Sequence, residues 1–414
     1  MRRLGTERFR SLMDGLPLPV KATVVTLMAL LFSHVVIYDL MSVSFFSPME
    51  KASDFRFSDF YTIVANERAV KSLDTDVVLV GVDGCDRREM ARAIDDIDYC
   101  APAAVGLDIA FTPPPDPDDD PLAEALSNCN NLVMPVMADE EGRIAHLSHY
   151  DSIVEPSGGF AAVNIQGTKG ALATVREFTK GFVADDGETV PALPVALVSL
   201  AKPEAVAALE RRNHSVEAIS YVSREFETLR PDEILDNEEV IRGKIVLVGK
   251  LHDAGDLHVT PTDNFTPGLR IHAYTTATIL SGDYTRRLTP YETYFIAGVL
   301  TMLLVWLNMW LERTPLRAIW VRLVQLALLY LMIVGGTIVF IRFNVDLNFA
   351  YPMLTISLGV AMCDIYDGIF KNDGLIDYVG RYIHKKYLTR YGHEENTVTA
   401  AYDVADDCDV AHHT

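Results

Sequence analysis

Asp76 to Asp83, DVVLVGVD, is a near-continuous apolar run bounded by turn residues. A strand exposed on one face alternates apolar with polar residues. A run like this one is buried on both faces, which is the mark of a parallel sheet. Working outward, Cys85 to Tyr99 places Met90, Ile94 and Ile97 at helical spacing, with Asp86 positioned to cap the start. Ala103 to Phe111 (AAVGLDIAF) repeats the strand pattern, Pro121 to Cys129 the helix, and Leu132 to Met137 the strand. This β-α-β-α-β alternation implies parallel pairing with crossover helices. A last strong strand is expected at Ile245 to Gly249 (IVLVG), followed by PGLRIHAYTTATILSG. That segment predicts a turn into a helix that packs Ile271, Ala273, Thr276 and Ile279. Between them, Phe160 to Gln166 and Ala173 to Thr179 read as antiparallel strands around Thr168-Lys169-Gly170. Val190 to Leu209 reads as a helix that Pro203 interrupts, and Asp54 to Val64 as a lead-in helix or a first strand.

Four apolar stretches flank this core. They predict transmembrane helices at 22–46, 291–311, 319–341 and 349–370, since a span needs roughly 20 apolar residues. A signal peptide is the competing reading of the first run, and a buried core helix that of the others. The remaining divisions are an N-terminal segment 1–21, a large polar domain 47–290 and a tail 371–414. Arg2, Arg3, Arg8, Arg10 and Lys21 precede the first run, Arg313, Arg317 and Arg322 lie around the link between the second and third, and Lys371, Arg381, Lys385 and Lys386 follow the fourth. By the positive-inside rule, both ends of the chain are cytoplasmic and Asp54 to Arg287 lies outside. Inside the expected spans the polar residues are few: His34, Asn308, Gln325, Asp364 and Asp367. They read as contacts between spans or interfacial residues, because a transporter carries more intramembrane charge or broken helices.

The formal net charge of −21 excludes general electrostatic binding of nucleic acid. Of the five cysteines, Cys85, Cys100 and Cys129 fall in the outer domain. Cys100 and Cys129 each close a crossover helix, and consecutive crossovers put their helices side by side, so a Cys100–Cys129 disulfide is expected. Cys85 lies on the order of 20 Å from Cys100 along its helix, out of reach.

VVLVGVDGCDRREM, AAVGLDIAF, DDPLAEALSNCNNLVMPV, FAAVNIQGTKGALATVREF and IRGKIVLVGKLHDAGDLHVTPTDNFTPGLRIHAYTTATILSGDY occur in the order and spacing of a known family. Over residues 45 to 370 the chain resembles the CHASE2 family of extracytoplasmic sensor domains of bacterial membrane receptors, including one span before the domain and three after. The resemblance implies a multi-pass protein of the bacterial inner membrane with its large domain in the periplasm. Family members usually continue into a cyclase, kinase or other output domain; here about 44 residues follow Phe370. A separate cytoplasmic output protein or membrane complex is therefore the expected partner, alongside the lipid bilayer, an extracytoplasmic ligand and a second copy of the chain. Leu375 to Leu388 has the apolar spacing of a partner-binding helix, or of a helix resting on the inner leaflet.

In open α/β sheets ligands bind beyond the carboxyl ends of the strands. Asp83, Asp86, Asp108 and Asp256 are expected there, with His258 and Thr260 from the same loop as Asp256, as ligand-binding candidates. The bland alternative makes Asp83 and Asp86 turn and cap residues and Asp108 a hydrogen-bonded structural acid. His252, Asp253, Asp256 and His258 (HDAGDLH) have the residue types of a metal site, but a solvated glycine-containing loop is the preferred reading, and no metal or other cofactor is expected. Asp116, Asp118, Asp119 and Asp120 lack the glycine and late glutamate of a calcium loop, and Asp118 or Asp119 is expected to cap the next helix. No G-x-S-x-G, Walker A, H-E-x-x-H or C-x-x-C is present. The function expected is a non-enzymatic sensor or binding module, the alternative a structural subunit of an envelope complex.

Overall fold

The computed structural model describes residues 15–35, 57–111, 121–139, 143–146, 149–165, 174–184, 187–222, 224–311, 314–370, 378 and 382. Outside them lie the Asp116–Asp120 loop, the Thr168–Gly170 turn, the N-terminal arginines, Cys408 and nearly all of the tail helix. The main sheet consists of β1 (Ser72–Gly81), β2 (Ala104–Asp108), β3 (Leu132–Ala138), β4 (Ile144–His146), β5 (Phe160–Ala162), β6 (Arg224–Leu229) and β7 (Ile245–Gly249). The helices of eight residues or more are α1 (Leu18–His34), α2 (Phe57–Arg68), α3 (Arg87–Tyr99), α4 (Pro121–Asn128), α5 (Leu193–Ala201), α6 (Pro203–Arg211), α7 (Gly268–Ser281), α8 (Pro290–Trp310), α9 (Arg317–Phe343) and α10 (Ala350–Phe370).

The strand order is β6-β1-β7-β2-β3. These five strands and β5 are parallel; β4 pairs antiparallel with β3. β1 and β2 do not touch, because β7 lies between them, with Val77 beside Ile245 and Ile245 beside Ala104. Residue parity sorts the core. Val78, Val80, Val105, Leu107, Val246 and Val248 face α3 and α4, while Val77, Leu79, Ile245 and Leu247 face α5 and α7. Two glycines set how closely the second layer approaches. A Cβ on Gly106 would stand 2.7 Å from Leu197 Cδ1 of α5, and one on Gly249 would stand 2.8 Å from Leu269 Cδ1 of α7.

Several expectations hold. Asp86 caps α3 in a reciprocal box with Glu89. Lys202 breaks the helical path so that Pro203 opens α6. Ile271, Ala273, Thr276 and Ile279 are all buried. Two expectations need correction. Phe160 to Gln166 and Ala173 to Thr179 do not pair with each other. Phe160–Ala162 extends the main sheet beside β3, where Ala161 and Ala162 are fully buried, and Glu177–Thr179 pairs with Val216–Ala218. Cys100 and Cys129 are not bridged: both are free, buried thiols in the apolar layer under the sheet. Helices α3 and α4 do lie side by side, but a polar clip joins their ends instead. The Asp98 carboxylate accepts from the Asn130 backbone N–H at 2.8 Å and from its side-chain amide at 3.1 Å.

The chain divides into two compact units, one of residues 1–43, 289–333 and 349–414, the other of residues 44–288 and 334–348. In the first, α1, α8 and α10 pack through Ala22, Val25, Ala29, Val305 and Cys363. Gln325 of α9 donates to the Ile356 carbonyl of α10 at 3.0 Å. All four expected spans contain a helix. Among the described residues, though, only α8 and α9 meet the length and apolarity of a membrane crossing. The described part of the first run, α1, stops at 17 residues, and α10 carries Asp364 and Asp367 near its end. The second unit is the α/β body, and it includes the end of α9 and the turn beyond it.

Candidate functional site

Strands β1, β7 and β2 end level with one another: Gly81 pairs with Gly249 and Gly249 with Asp108. The chain leaves β1 through Asp83 and Gly84, whose φ of 76° suits glycine. Asp83 is taken up by the loop after β7. Its carboxylate accepts from the Leu251 N–H at 3.0 Å and the His252 N–H at 2.9 Å, and lies 3.3 Å from His252 Nδ1. Partial burial alone would raise this carboxyl. The backbone donors and His252 outweigh it and hold the group below the usual carboxylate range. Asp86, as the α3 cap, is likewise engaged.

A second group forms at the start of α7. Asp256 Oδ2 accepts from the Gly268 N–H at 3.1 Å, and Oδ1 lies 3.1 Å from His258 Nε2. A Cβ on Gly268 would meet that carboxylate at 2.5 Å, so the contact requires glycine. Asp108, at the end of β2, points toward the same place, with Oδ2 3.8 Å from His272 Nε2. Burial pushes the Asp108 carboxyl up; His272 opposes the shift and Asp256 adds to it. The structure thus brings Asp108, Asp256 and His258 into one electrostatic cluster and leaves Asp83 and Asp86 outside it. Thr260 stands apart from the cluster, in the neighbouring turn. It is buried and bonds the Asp263 carbonyl and the Thr266 hydroxyl, both at 3.0 Å. His272 went unnoticed in the sequence; its signal is its position four residues into a helix that starts at the strand-end rim. The two histidines of HDAGDLH serve different acids, His252 with Asp83 and His258 with Asp256. Among the described residues no three such side chains are grouped to hold a metal ion. An open cavity of about 370 Å³ lies at this rim, lined by Leu251, His252, Arg270 and Tyr274 among others.

Another cavity, of about 310 Å³, lies where the chain runs into β1 and β6. Asp59 of α2 and Arg176 form a two-pronged ion pair across it, with both N–O distances at 2.7 Å. Their side chains are 10% and 5% exposed. Asp283 accepts from Ser220 Oγ at 2.8 Å and from Asn344 Nδ2 at 2.6 Å. Thr285 Oγ1 donates to Asn344 Oδ1 at 2.8 Å, and Arg286–Arg287 pairs in parallel with Val345–Asp346. The Tyr61 ring lies tilted against Phe340 in the last turns of α9, with ring centroids 5.8 Å apart. Sequence spacing gives no sign of this cavity, because its walls come from six segments far apart in the chain.

A family model of the CHASE2 domain matches residues 23–311. Comparison with the curated proteins and with the solved structures gives no match.

Proposed function

The chain belongs to the CHASE2 domain family of extracytoplasmic, sensor-type domains of membrane proteins. From that premise we propose that it is a membrane-anchored sensor. Its α/β unit binds a ligand outside the cytoplasm and passes the change into its flanking helices. In this reading four helices cross the bilayer, both chain ends are cytoplasmic, and an output protein is recruited through residues 371–414. The protein acts by binding and not by catalysis.

One observation carries the reading: residues 334–348 belong to the same compact unit as residues 44–288. In the proposed topology the link between α9 and α10 lies on the same side of the membrane as the α/β body, and its membership of that unit supports an even number of crossings. It also couples the two mechanically. Phe340 and Asn344 touch the body at Tyr61, Thr285 and Asp283, so a ligand that shifts those groups shifts the end of α9. The strand-end rim offers a second place for a ligand, favoured by its 370 Å³ cavity. There Asp83 acts through His252, while Asp108, Asp256 and His258 set the charge beside it and Asp86 and Thr260 hold the turns.

Reporter fusions test the topology. Fusions after Gly142 and within Asn344–Asn348 are expected to report the outside, and a fusion after Phe370 the cytoplasm. The same compartment for Gly142 and Phe370 sinks the four-span arrangement.

A further inference from the structure

We infer that Asp108, Asp256, His258 and His272 form a proton-sensing switch at the base of α7. In a mildly acidic medium the two imidazoles take up protons from the solvent and His272 closes onto Asp108, drawing the first turns of α7 toward the end of β2. The inference rests on reading the α/β unit as the sensing part of the protein, and names a stimulus for it.

His272 Nε2 is buried without a hydrogen-bond partner, and its side chain is 5% exposed. Buried polar groups in native proteins are nearly always satisfied, so an orphan of this kind marks a contact that another state completes. The group it faces is Asp108 Oδ2 at 3.8 Å. That is about 1 Å longer than a charge-assisted hydrogen bond. A neutral imidazole gains little by closing the gap. An imidazolium gains an ion pair in a setting that water does not screen. Histidine is the side chain whose charge changes between about pH 5 and 8. Burial pushes the Asp108 carboxyl up, His272 and His258 pull it down and Asp256 opposes them, so charge on the acid and charge on the imidazoles favour each other. The second pair sits nearer the surface. His258 Nε2 lies 3.1 Å from Asp256 Oδ1, and Oδ2 of the same carboxylate holds the Gly268 N–H that opens α7. The remaining surroundings of His272 add little charge. Glu177, which shares a small cavity with it, is paired with Arg287. Toward α7, β1 and β7 present Val77, Leu79, Ile245 and Leu247, α6 presents Ala205 and Leu209, and α5 has no titratable side chain. A motion of α7 has a route onward: Asp283, just past its end, holds Asn344 beyond α9 at 2.6 Å.

The test uses the full chain in detergent or nanodiscs at about pH 5.5 and about pH 8, on either side of the ordinary imidazole value. Hydrogen exchange read by mass spectrometry, corrected for its intrinsic pH dependence, is expected to show the first turns of α7 roughly threefold or more better protected at the lower pH. His272→Gln should remove most of that difference, and His258→Gln should leave most of it. His272→Gln should also lower the melting temperature more at the lower pH than at the higher. In an Asp108→Asn background the same substitution should lower it equally at both, since the partner acid is gone. Equal protection of α7 in the parent at the two pH values overturns the inference, and that measurement needs no variant. So does an effect of His272→Gln that is the same at both, one whose pH dependence survives Asp108→Asn, or a pH response lost with His258→Gln and kept with His272→Gln. A failed fusion experiment revises the topology and leaves these results standing; a failure here leaves the topology untouched.

Discussion

Where β1, β7 and β2 end, Asp83 binds backbone; where the chain runs into β1 and β6, Asp59 binds arginine. Asp83 is 31% exposed and holds two amides of one loop, a local bond that water competes with. Asp59 is 10% exposed and holds Arg176 from 117 residues away, with no bulk water to replace it. The first arrangement shapes a rim. The second ties α2 to the middle of the chain and keeps a cavity open between them. A charge is cheap to hold at the first place and expensive to leave alone at the second, so equivalent substitutions should separate the two regions.

Arg176→Ala has the largest expected effect. It strands the Asp59 carboxylate in a buried setting and should destabilise the α/β unit by about 3–5 kcal/mol. Denaturant unfolding of the purified protein measures it, and Asp59→Leu with Arg176→Met should recover most of the loss. A single-variant effect below about 1 kcal/mol would put the pair in the class of exposed bridges and erase the contrast. Asp83→Ala is expected to be milder, roughly 1–2 kcal/mol at pH 7, because its partners regain water. Its pH dependence has a definite sign. The folded carboxyl lies below its ordinary value of 3.8, so its contribution is complete above that value and is lost as pH falls through the lower folded one. Melting curves of parent and variant should therefore differ from pH 5 upward and converge in strong acid. Asp86→Ala removes the α3 cap and should lose about 0.5–1.5 kcal/mol. Asp108→Asn is the smallest effect and runs the other way. The folded Asp108 carboxyl is raised, so ionising it opposes folding once pH climbs past the ordinary carboxylate value. The variant should melt higher than the parent at pH 7 and level with it at pH 3. A destabilised variant at pH 7 would make Asp108 a structural acceptor for His272.

The parallel sheet was legible because its strands are buried on both faces and so read as unbroken apolar runs. DVVLVGVD and IVLVG could be placed to within a few residues. The order of those strands was not, since nothing in IVLVG says that it will sit between β1 and β2. The Phe160–Gln166 strand went to the wrong partner for a related reason: a three-residue edge strand carries too little pattern to choose a neighbour. Cys100 and Cys129 were placed at neighbouring helix ends, but proximity of ends does not set sulfur geometry, and Asp98 with Asn130 makes the link. At the strand ends the acids were found and the Asp86 cap was foreseen, but the partners of Asp83 were not, because hydrogen bonds to Leu251 and His252 leave no mark on spacing. The cavity beside α2 was invisible, being assembled from residues near 60, 176, 220, 283 and 344.

The place of β7 bears on how the molecule is made. Two strands formed early, β1 and β2, must stand apart by the width of a third until the chain has grown roughly 140 residues further. At about 5–20 residues per second that is an interval of about 7–28 s. Throughout it, the inner edges of both strands offer unpaired amides and carbonyls to any passing strand. A sheet closed by its last strand through its centre has high contact order and folds slowly. A chaperone that shields extended segments during export should therefore raise the yield of this protein more than that of one whose strands add in sequence.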